Sequence, residues 1–547
     1  MVKKQYHNRV GICFKPMQVY CTLMIATLVG MTLLHFFWKN ADDIKTVHEQ
    51  TELSQKTLAQ NHADPRKSTF QGEKIVHLDL KGAPPKITYY HKLFPLLAKL
   101  GASGILIEYE DMFPYMGELE NITALNSYTL EDIAIINKLA QDNNLRIIPL
   151  IPTFGHLEFI LKLSEYKDYR EVMAYPQVIC PIHRDTLKLI KNMVIQIVKS
   201  HPNIDSIHIG ADEVYYLGIC SGCTEYMSKN NISKNALFLM HVKNVVDMIN
   251  TLFPKLKILM WDDQFRSLSE KEMKMINFDI EPVVWKYTKD VYDELGPSLW
   301  GSYKKVFSKI WTASAFKGAT ASNAFVSKVT HYLQNHRSWM SVMEEFKHQL
   351  NFQGIIITGW QRYDHFAVLC ELLPVGIPTL AMSLRLLQGY DDSPLSPPME
   401  VAKILQCEQP YGLIGLFFGS PKCSFPGGDI LEYVLHLEQL IQEYDIIMED
   451  SRVKGWMNDY SVAHVYSSPS YVDSATSSLS RMKTDLEQID SGITIAMADV
   501  YDEYTINEWK ETYIKPLKRK IKKIWDIRKL LLERDTWPRR PLKHDEN

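Results

Sequence analysis

The chain has 547 residues, 46% hydrophobic and 23% charged, with a net charge of −3. That length and apolar content allow one large core with additions, and a charge so near zero excludes wholesale nucleic-acid binding. Eight cysteines are too sparse for a disulfide scaffold.

Residues 1–16 form a basic tail carrying Lys3, Lys4, Arg9 and Lys15. The next 22 residues, 17–38, hold no formally charged side chain, and about 20 mainly apolar residues suffice to span a membrane. Basic residues before the run, with Asp42 and Asp43 after it, predict a signal-anchor with its amino terminus in the cytosol. The expectation is a single-pass type II protein whose bulk is lumenal or extracellular. A cleaved signal peptide competes, but its apolar core is only roughly 7–15 residues long and ends at small residues, unlike Phe36-Phe37-Trp38-Lys39. Residues 39–73 are polar with one aromatic, Phe70, and read as a flexible stem.

From residue 74 the pattern changes. Short β-rich runs recur at 75–80, 104–110, 146–151, 206–209, 257–263, 281–287, 309–314 and 354–361. Amphipathic segments such as 89–100, 130–143, 186–200 and 236–252 lie between them. Alternating strand and helix predicts a parallel sheet, and eight units predict an α/β fold of the (β/α)8 type, a TIM barrel over residues 74–426. An open doubly wound sheet is the runner-up, but no glycine-rich phosphate fingerprint follows the first strand. In a barrel the chemistry sits at the carboxyl ends of the strands. Asp79, Glu108, Glu110, His156, Asp212, Glu213, Trp261, Asp262, Asp263, Trp285, Tyr287 and Trp360 all fall at predicted strand ends. Taken singly, a tryptophan is more often core than platform, and Asp262-Asp263 is equally a helix cap.

The stretch Ser206-Ile-His-Ile-Gly210-Ala-Asp212-Glu213 focuses the prediction. Adjacent side chains on a strand point to opposite faces. Both carboxylates can serve one ligand only if the chain bends after the strand, and Gly210 makes that bend cheap. Paired carboxylates in different surroundings can divide acid and base work, as glycosidases require. Strand-end tryptophans facing such a pair suit the C–H faces of a sugar ring. His77, His156, His183 and His208 form no His-Glu-x-x-His or other close ligand spacing, so neither a metal nor a cofactor is expected.

Six stretches then carry a family resemblance: His77-Leu-Asp-Leu-Lys-Gly-Ala-Pro-Pro-Lys86, Ile107-Glu-Tyr-Glu-Asp-Met-Phe-Pro-Tyr115, Thr153-Phe-Gly-His-Leu-Glu158, His208-Ile-Gly-Ala-Asp-Glu-Val-Tyr-Tyr-Leu-Gly218, Ala313-Ser-Ala-Phe-Lys-Gly-Ala319 and Thr358-Gly-Trp-Gln-Arg-Tyr-Asp-His365. The chain resembles glycoside hydrolase family 20, the β-N-acetylhexosaminidases. The resemblance implies a barrel that removes terminal N-acetylhexosamine from glycans by a retaining, substrate-assisted reaction. It implies Glu213 as general acid/base and Asp212 as the residue that orients the 2-acetamido group. Trp285, Trp311 and Trp360 are then the expected sugar walls, with His156, Tyr363, Asp79 and Glu108 as further substrate contacts. Expected partners are a glycan, the membrane and, as the sequence allows, a second copy in a homodimer. The amino-terminal run departs from a nucleocytoplasmic branch of the family, which is the alternative location. A catalytically silent sugar-binding protein, or another glycosidase on the same barrel, are the rival functions.

Cys220-Ser-Gly-Cys223 follows the carboxylate pair, and a local disulfide and two free thiols are both open readings. Asn121-Ile-Thr and Asn231-Ile-Ser are glycosylation sequons. Gly427-Gly428 marks the start of a helical carboxyl-terminal module, 427–547, with helical periods over 430–447, 476–489 and 509–532. The basic run from Lys515 to Lys523 is expected to be a solvated helix face, because Glu511 and Asp526 flank it.

Overall fold

Strands covered on both faces lose alternation and become continuously apolar. Gly104–Glu108 is buried at every position, as is Ile310–Lys317. In this computed structural model, which describes residues 70–389, 396–408 and 422–542, all eight predicted strands form. They are β1 (Glu73–Asp79), β2 (Gly104–Glu108), β3 (Arg146–Leu150), β6 (Ser206–His208), β7 (Lys257–Trp261), β8 (Glu281–Trp285), β9 (Ile310–Lys317) and β10 (Phe352–Gly359). They close in the order β1-β10-β9-β8-β7-β6-β3-β2, with every pairing parallel and β1 joining β10 on one side and β2 on the other. The closed sheet settles the choice against an open doubly wound one. An antiparallel hairpin, β4 (Arg170–Val172) and β5 (Tyr175–Ile179), stands outside the barrel and had no signal in the periodicity.

The barrel is filled, not hollow. Ile75, Leu106, Ile148, Leu150, Leu259, Trp261, Val283, Trp311, Ala313 and Ile356 pack its interior, with Trp285 and Trp360 laid on top. This corrects the expectation for Trp311. β9 runs on to Lys317, so Trp311 is its second residue and belongs to the amino-terminal end of the barrel. Its indole N–H donates to Glu281 Oε2 at 2.7 Å, at the first residue of β8. It is core and not a wall of the ligand site.

The outer helices bury one stripe each. Thr186–Ser200 turns Leu189, Ile190, Met193, Val194 and Ile197 inward, and Thr129 opens Leu130–Asp142 with a capping box to Asp132. Helix Leu373–Leu387 is buried almost throughout. From Gly428 the chain is helical, including Gly428–Glu449, Leu479–Ala498 and Lys515–Leu532. These helices dock on the barrel through polar pins. Leu373 N–H donates to the Tyr501 hydroxyl at 3.0 Å, Lys86 N–H donates to Val500 O at 2.7 Å, and Arg362 pairs with Glu508 at 2.7 Å. Lys515–Leu532 buries Leu517, Ile521, Ile524 and Leu531. Its lysines pair with Glu511, Asp490 and Asp526, so the basic run is a compensated surface.

Among the described residues no helix is long and apolar enough to cross a membrane. The predicted tail 1–16, the predicted span 17–38 and residues 39–69 of the stem lie outside the described residues.

Candidate active site

β6 ends at His208, and the chain turns at once. Gly210 has φ +62°, and Ala211 and Glu213 follow it into left-handed backbone at φ +66° and +48°. Each such non-glycine residue costs of order 1–3 kcal/mol and persists only where its surroundings hold it. The turn is held on two sides. Glu213 N–H donates to Asp263 Oδ2 at 3.0 Å, just beyond β7. Gly155 lies against the turn so closely that a Cβ there would stand 2.1 Å from the Asp212 carbonyl oxygen.

The neighbour of that glycine, His156, is itself left-handed at φ +54°. Its Nε2 stands 3.5 Å from Asp212 Oδ2 and 3.2 Å from Glu213 Oε2. The bend therefore brings both carboxylates to one side, with a single imidazole between them. They face a cavity of about 270 Å³, just below the roughly 300–1,000 Å³ usual for ligand pockets. Its aromatic walls are Trp261, Trp285, Tyr287, Trp360 and Tyr363, and the turn 318–322 after β9 completes the rim. Trp285 stacks on Tyr287 at 5.3 Å. The Trp360 indole N–H donates to the Tyr287 hydroxyl at 3.2 Å. Of the residues expected from sequence, His156, Asp212, Glu213, Trp285, Trp360 and Tyr363 meet here. Trp261 and Tyr287 were legible only as strand-end aromatics. Arg362, Gly318 and Ala319 lie in the stretches that carry the resemblance without being expected substrate contacts, and residues 320–322 have no sequence signal.

Asp79 and Glu108 do not line the cavity. They belong to a buried charge cluster behind its Trp360 wall. Lys81 Nζ stands 3.1 Å from Asp79 Oδ1, 3.1 Å from Glu108 Oε1 and 3.3 Å from Glu110 Oε1. His77 Nε2 meets Glu108 Oε2 at 3.0 Å, and His365 closes on Glu110. Asp79 Oδ2 accepts the Gln361 N–H at 2.8 Å, and Arg362 donates to the Lys81 carbonyl at 2.9 Å. This corrects the reading of both acids as substrate contacts. Their strand ends point to the barrel's own charges, and they fix the segment that carries Trp360. Asp262 is also structural, held by Arg266 at 2.8 Å and the Tyr303 hydroxyl at 2.8 Å.

The electrostatics of the pair run against expectation. Burial alone would pull His156 down, but Asp212 and Glu213 raise it to about 10, so it is a cation at neutral pH. Burial raises Asp212 to about 7 despite that cation, and the Asp263 and Glu213 charges add to the rise. Burial also pushes on Glu213, but its hydrogen bond with His156 outweighs this and leaves it below its ordinary value. The free site thus keeps its proton on Asp212 and leaves Glu213 ionised, the reverse of what an acid at Glu213 requires. With Asp212 raised to about 7 and Glu213 held below its ordinary value, the first proton the pair takes up goes to Asp212.

Residues 88–295 match the family described as glycosyl hydrolase family 20, catalytic domain. A protein named hexosaminidase D from Homo sapiens is 38% identical over 461 residues, covering 81% of this chain and 91% of that protein. One of the same name from Bos taurus is 44% identical over 321 residues, covering 58% of this chain and 92% of that protein. Among solved structures, the chitobiase from Flavobacterium johnsoniae aligns over 85% of this chain and 78% of its own at 11% identity, with a TM-score of 0.47.

Proposed function

The chain belongs to glycosyl hydrolase family 20 and is a glycoside hydrolase, and we propose that it removes terminal β-linked N-acetylhexosamine by a retaining, substrate-assisted reaction. The observation that carries this is the turn at Ala211 and Glu213, which aims two adjacent carboxylates into one tryptophan-walled cavity with His156 between them.

In this scheme the acetamido oxygen of the substrate attacks its own anomeric carbon. Glu213 protonates the departing oxygen and then takes a proton from the incoming water. Asp212 accepts the acetamido N–H and balances the positive charge of the cyclic intermediate. The family uses the substrate as nucleophile, an exception to the two-carboxylate pattern. The proton must start on Glu213, and ligand binding supplies the bias. A sugar in the cavity strips water from Glu213, which favours its neutral form, while the acetamido N–H favours an ionised Asp212. The proton crosses the pair as the site fills. Trp261, Trp285 and Trp360 exclude water and pack the ring.

The test is hydrolysis by the purified full chain of aryl N-acetylhexosaminides against the matched sugars lacking the 2-acetamido group. Activity confined to the acetylated sugars is expected. Equal rates on both would point to a different glycosidase, and no turnover of either would leave a sugar-binding protein.

The uncharged run at 17–38 with its basic flank supports a single amino-terminal span with the barrel lumenal or extracellular. The disulfide between Cys407 and Cys423 favours the same side, since disulfides persist in oxidising compartments. Asn121 and Asn231 are both exposed on the folded domain and open to glycosylation. Removal of N-glycans should therefore increase the gel mobility of protein expressed in mammalian cells. An unshifted band in the soluble cytosolic fraction would return the protein to the nucleocytoplasmic alternative.

A further inference from the structure

Cys220 and Cys223 are not joined to each other. They converge with two residues far back in the chain, Cys180, which follows β5, and Glu171 in β4. Cys180 Sγ stands 3.6 Å from the sulfur of Cys220 and 3.6 Å from that of Cys223. Cys223 Sγ is 3.1 Å from Glu171 Oε2. All four potential ligand atoms lie within 4.8 Å of one another. Glu171 is 2% exposed and Cys223 is fully buried.

A disulfide needs sulfurs at about 2.05 Å. One such bond would use two of the three sulfurs around Cys180 and leave the third a free thiol. Glu171 itself is the sharper problem. Its Oε1 accepts the N–H groups of Ile219 at 2.7 Å and Cys220 at 3.1 Å, while Oε2 faces sulfur. Among the described residues no lysine, arginine or histidine forms an ion pair with it, although a buried carboxylate ordinarily requires a cation. A tetrahedral zinc with bonds of about 2.3 Å to sulfur and 2.0–2.2 Å to oxygen holds its ligand atoms about 3.5–3.8 Å apart. The two sulfur–sulfur separations of 3.6 Å match that set, and the 3.1 Å from Cys223 Sγ to Glu171 Oε2 lies inside it by a few tenths of an ångström.

We propose that Glu171, Cys180, Cys220 and Cys223 bind a structural zinc ion, one this chain's sequence alone gave no reason to expect. The completing ligands lie 40 and 49 residues before Cys220, so only the fold joins them to the C-x-x-C. Four protein ligands close the coordination and leave no position for a substrate, which makes the site structural and not catalytic. The polar surroundings are those of a held ligand set. Cys223 N–H donates to Cys220 Sγ at 3.2 Å, and two loop amides fix the Glu171 carboxylate, as outer-shell hydrogen bonds do around metals. On binding, the ion displaces the thiol protons to solvent. Ligation also explains how three adjacent thiols stay reduced in a chain that carries a disulfide elsewhere. The consequence is mechanical. The ion ties the far end of the loop bearing Asp212 and Glu213 to the β4–β5 hairpin, and so helps hold its left-handed backbone.

The experiment is metal analysis of the full chain after dialysis against zinc and then metal-free buffer. About one zinc per chain is expected, released stoichiometrically when an organomercurial titrates the thiols. Cobalt in its place should give the intense visible bands of a tetrahedral thiolate site. Cys180→Ser and Cys223→Ser should lose the ion, whereas Cys370→Ser, at a free cysteine elsewhere, should keep it. If the serine variants do not fold, the wild-type stoichiometry and the cobalt spectrum decide the matter alone. A wild-type protein with no retained metal would overturn the proposal, as would a disulfide between any two of the three cysteines in non-reducing peptide mapping.

Discussion

Two groups of buried charge stand at the carboxyl ends of the barrel strands, built from the same residue types. Around Lys81, one cation touches three carboxylates, and His77 and His365 pair with two of them. Around His156, one imidazole serves two carboxylates, and the third side is the cavity. The first group is closed. Burial acts on Glu108, but Lys81 and His77 hold it well below the usual carboxylate range, while burial and the Glu108 charge keep Glu110 well above it. The second group is left one partner short, and burial raises Asp212 to about 7 beside a Glu213 that His156 holds below its ordinary value. The same chemistry makes a girder when every partner comes from the protein, and a reactive site when one place is kept for a substrate.

The contrast is broken most directly at Glu213. With Glu213→Gln, kcat/KM on substrates with poor leaving groups should fall about 10²- to 10⁴-fold, the usual contribution of a positioned acid. Activated aryl glycosides should suffer far less, because their leaving group does not need the proton. An equal loss on both classes would remove Glu213 from the acid role.

Lys81→Met tests the closed cluster. Removing one partner from a buried ion group costs about 3–5 kcal/mol, so the denaturant midpoint should drop sharply. An unchanged midpoint would show that the carboxylates are held by other means.

Two tryptophans sharpen the distinction between wall and core. Trp360→Ala should lower kcat/KM about 30- to 150-fold, roughly 2–3 kcal/mol, with the circular dichroism spectrum retained. Trp311→Phe should leave kcat/KM within a few-fold and instead cost about 1–3 kcal/mol of stability, since Glu281 loses its buried indole donor. A kinetic effect at Trp311 as large as that at Trp360 would restore it to the sugar site.

The mildest test is the pH profile. Productive binding needs the pair to hold one proton. That proton is lost as pH rises through about 7, the value of Asp212 in the free protein. kcat/KM should therefore fall above pH 7. It should also fall on the acid side, as Glu213 takes up the second proton of the pair below its ordinary value. In Asp212→Asn the limb near 7 should vanish from the residual activity. If it survives, another group owns it.

Much of this was legible in one dimension because local rules fixed it. Alternating strand and helix periods placed all eight barrel strands, and the closed (β/α)8 order follows from chain connectivity. Asp212-Glu213 stood out because Gly210 ends a buried strand beside it, and strand ends are where a barrel exposes its groups. What needed the tertiary structure was the direction in which each strand end points, and what waits there. Trp311 came in as a wall with the family resemblance, whereas β9 runs on to Lys317 and leaves Trp311 at its amino-terminal end. Asp79 and Glu108 sit at strand ends as predicted, but Lys81, two residues beyond β1, turns back to join them with Glu110. The rise of Asp212 to about 7 comes from burial, against the cation of His156, which the adjacent strand β3 delivers. Glu171 and Cys180 reach Cys220 and Cys223 only through a hairpin that periodicity does not announce. A side chain's type and its place along a strand are local properties, but burial, net charge and ligation are sums over neighbours, and the fold alone chooses the neighbours.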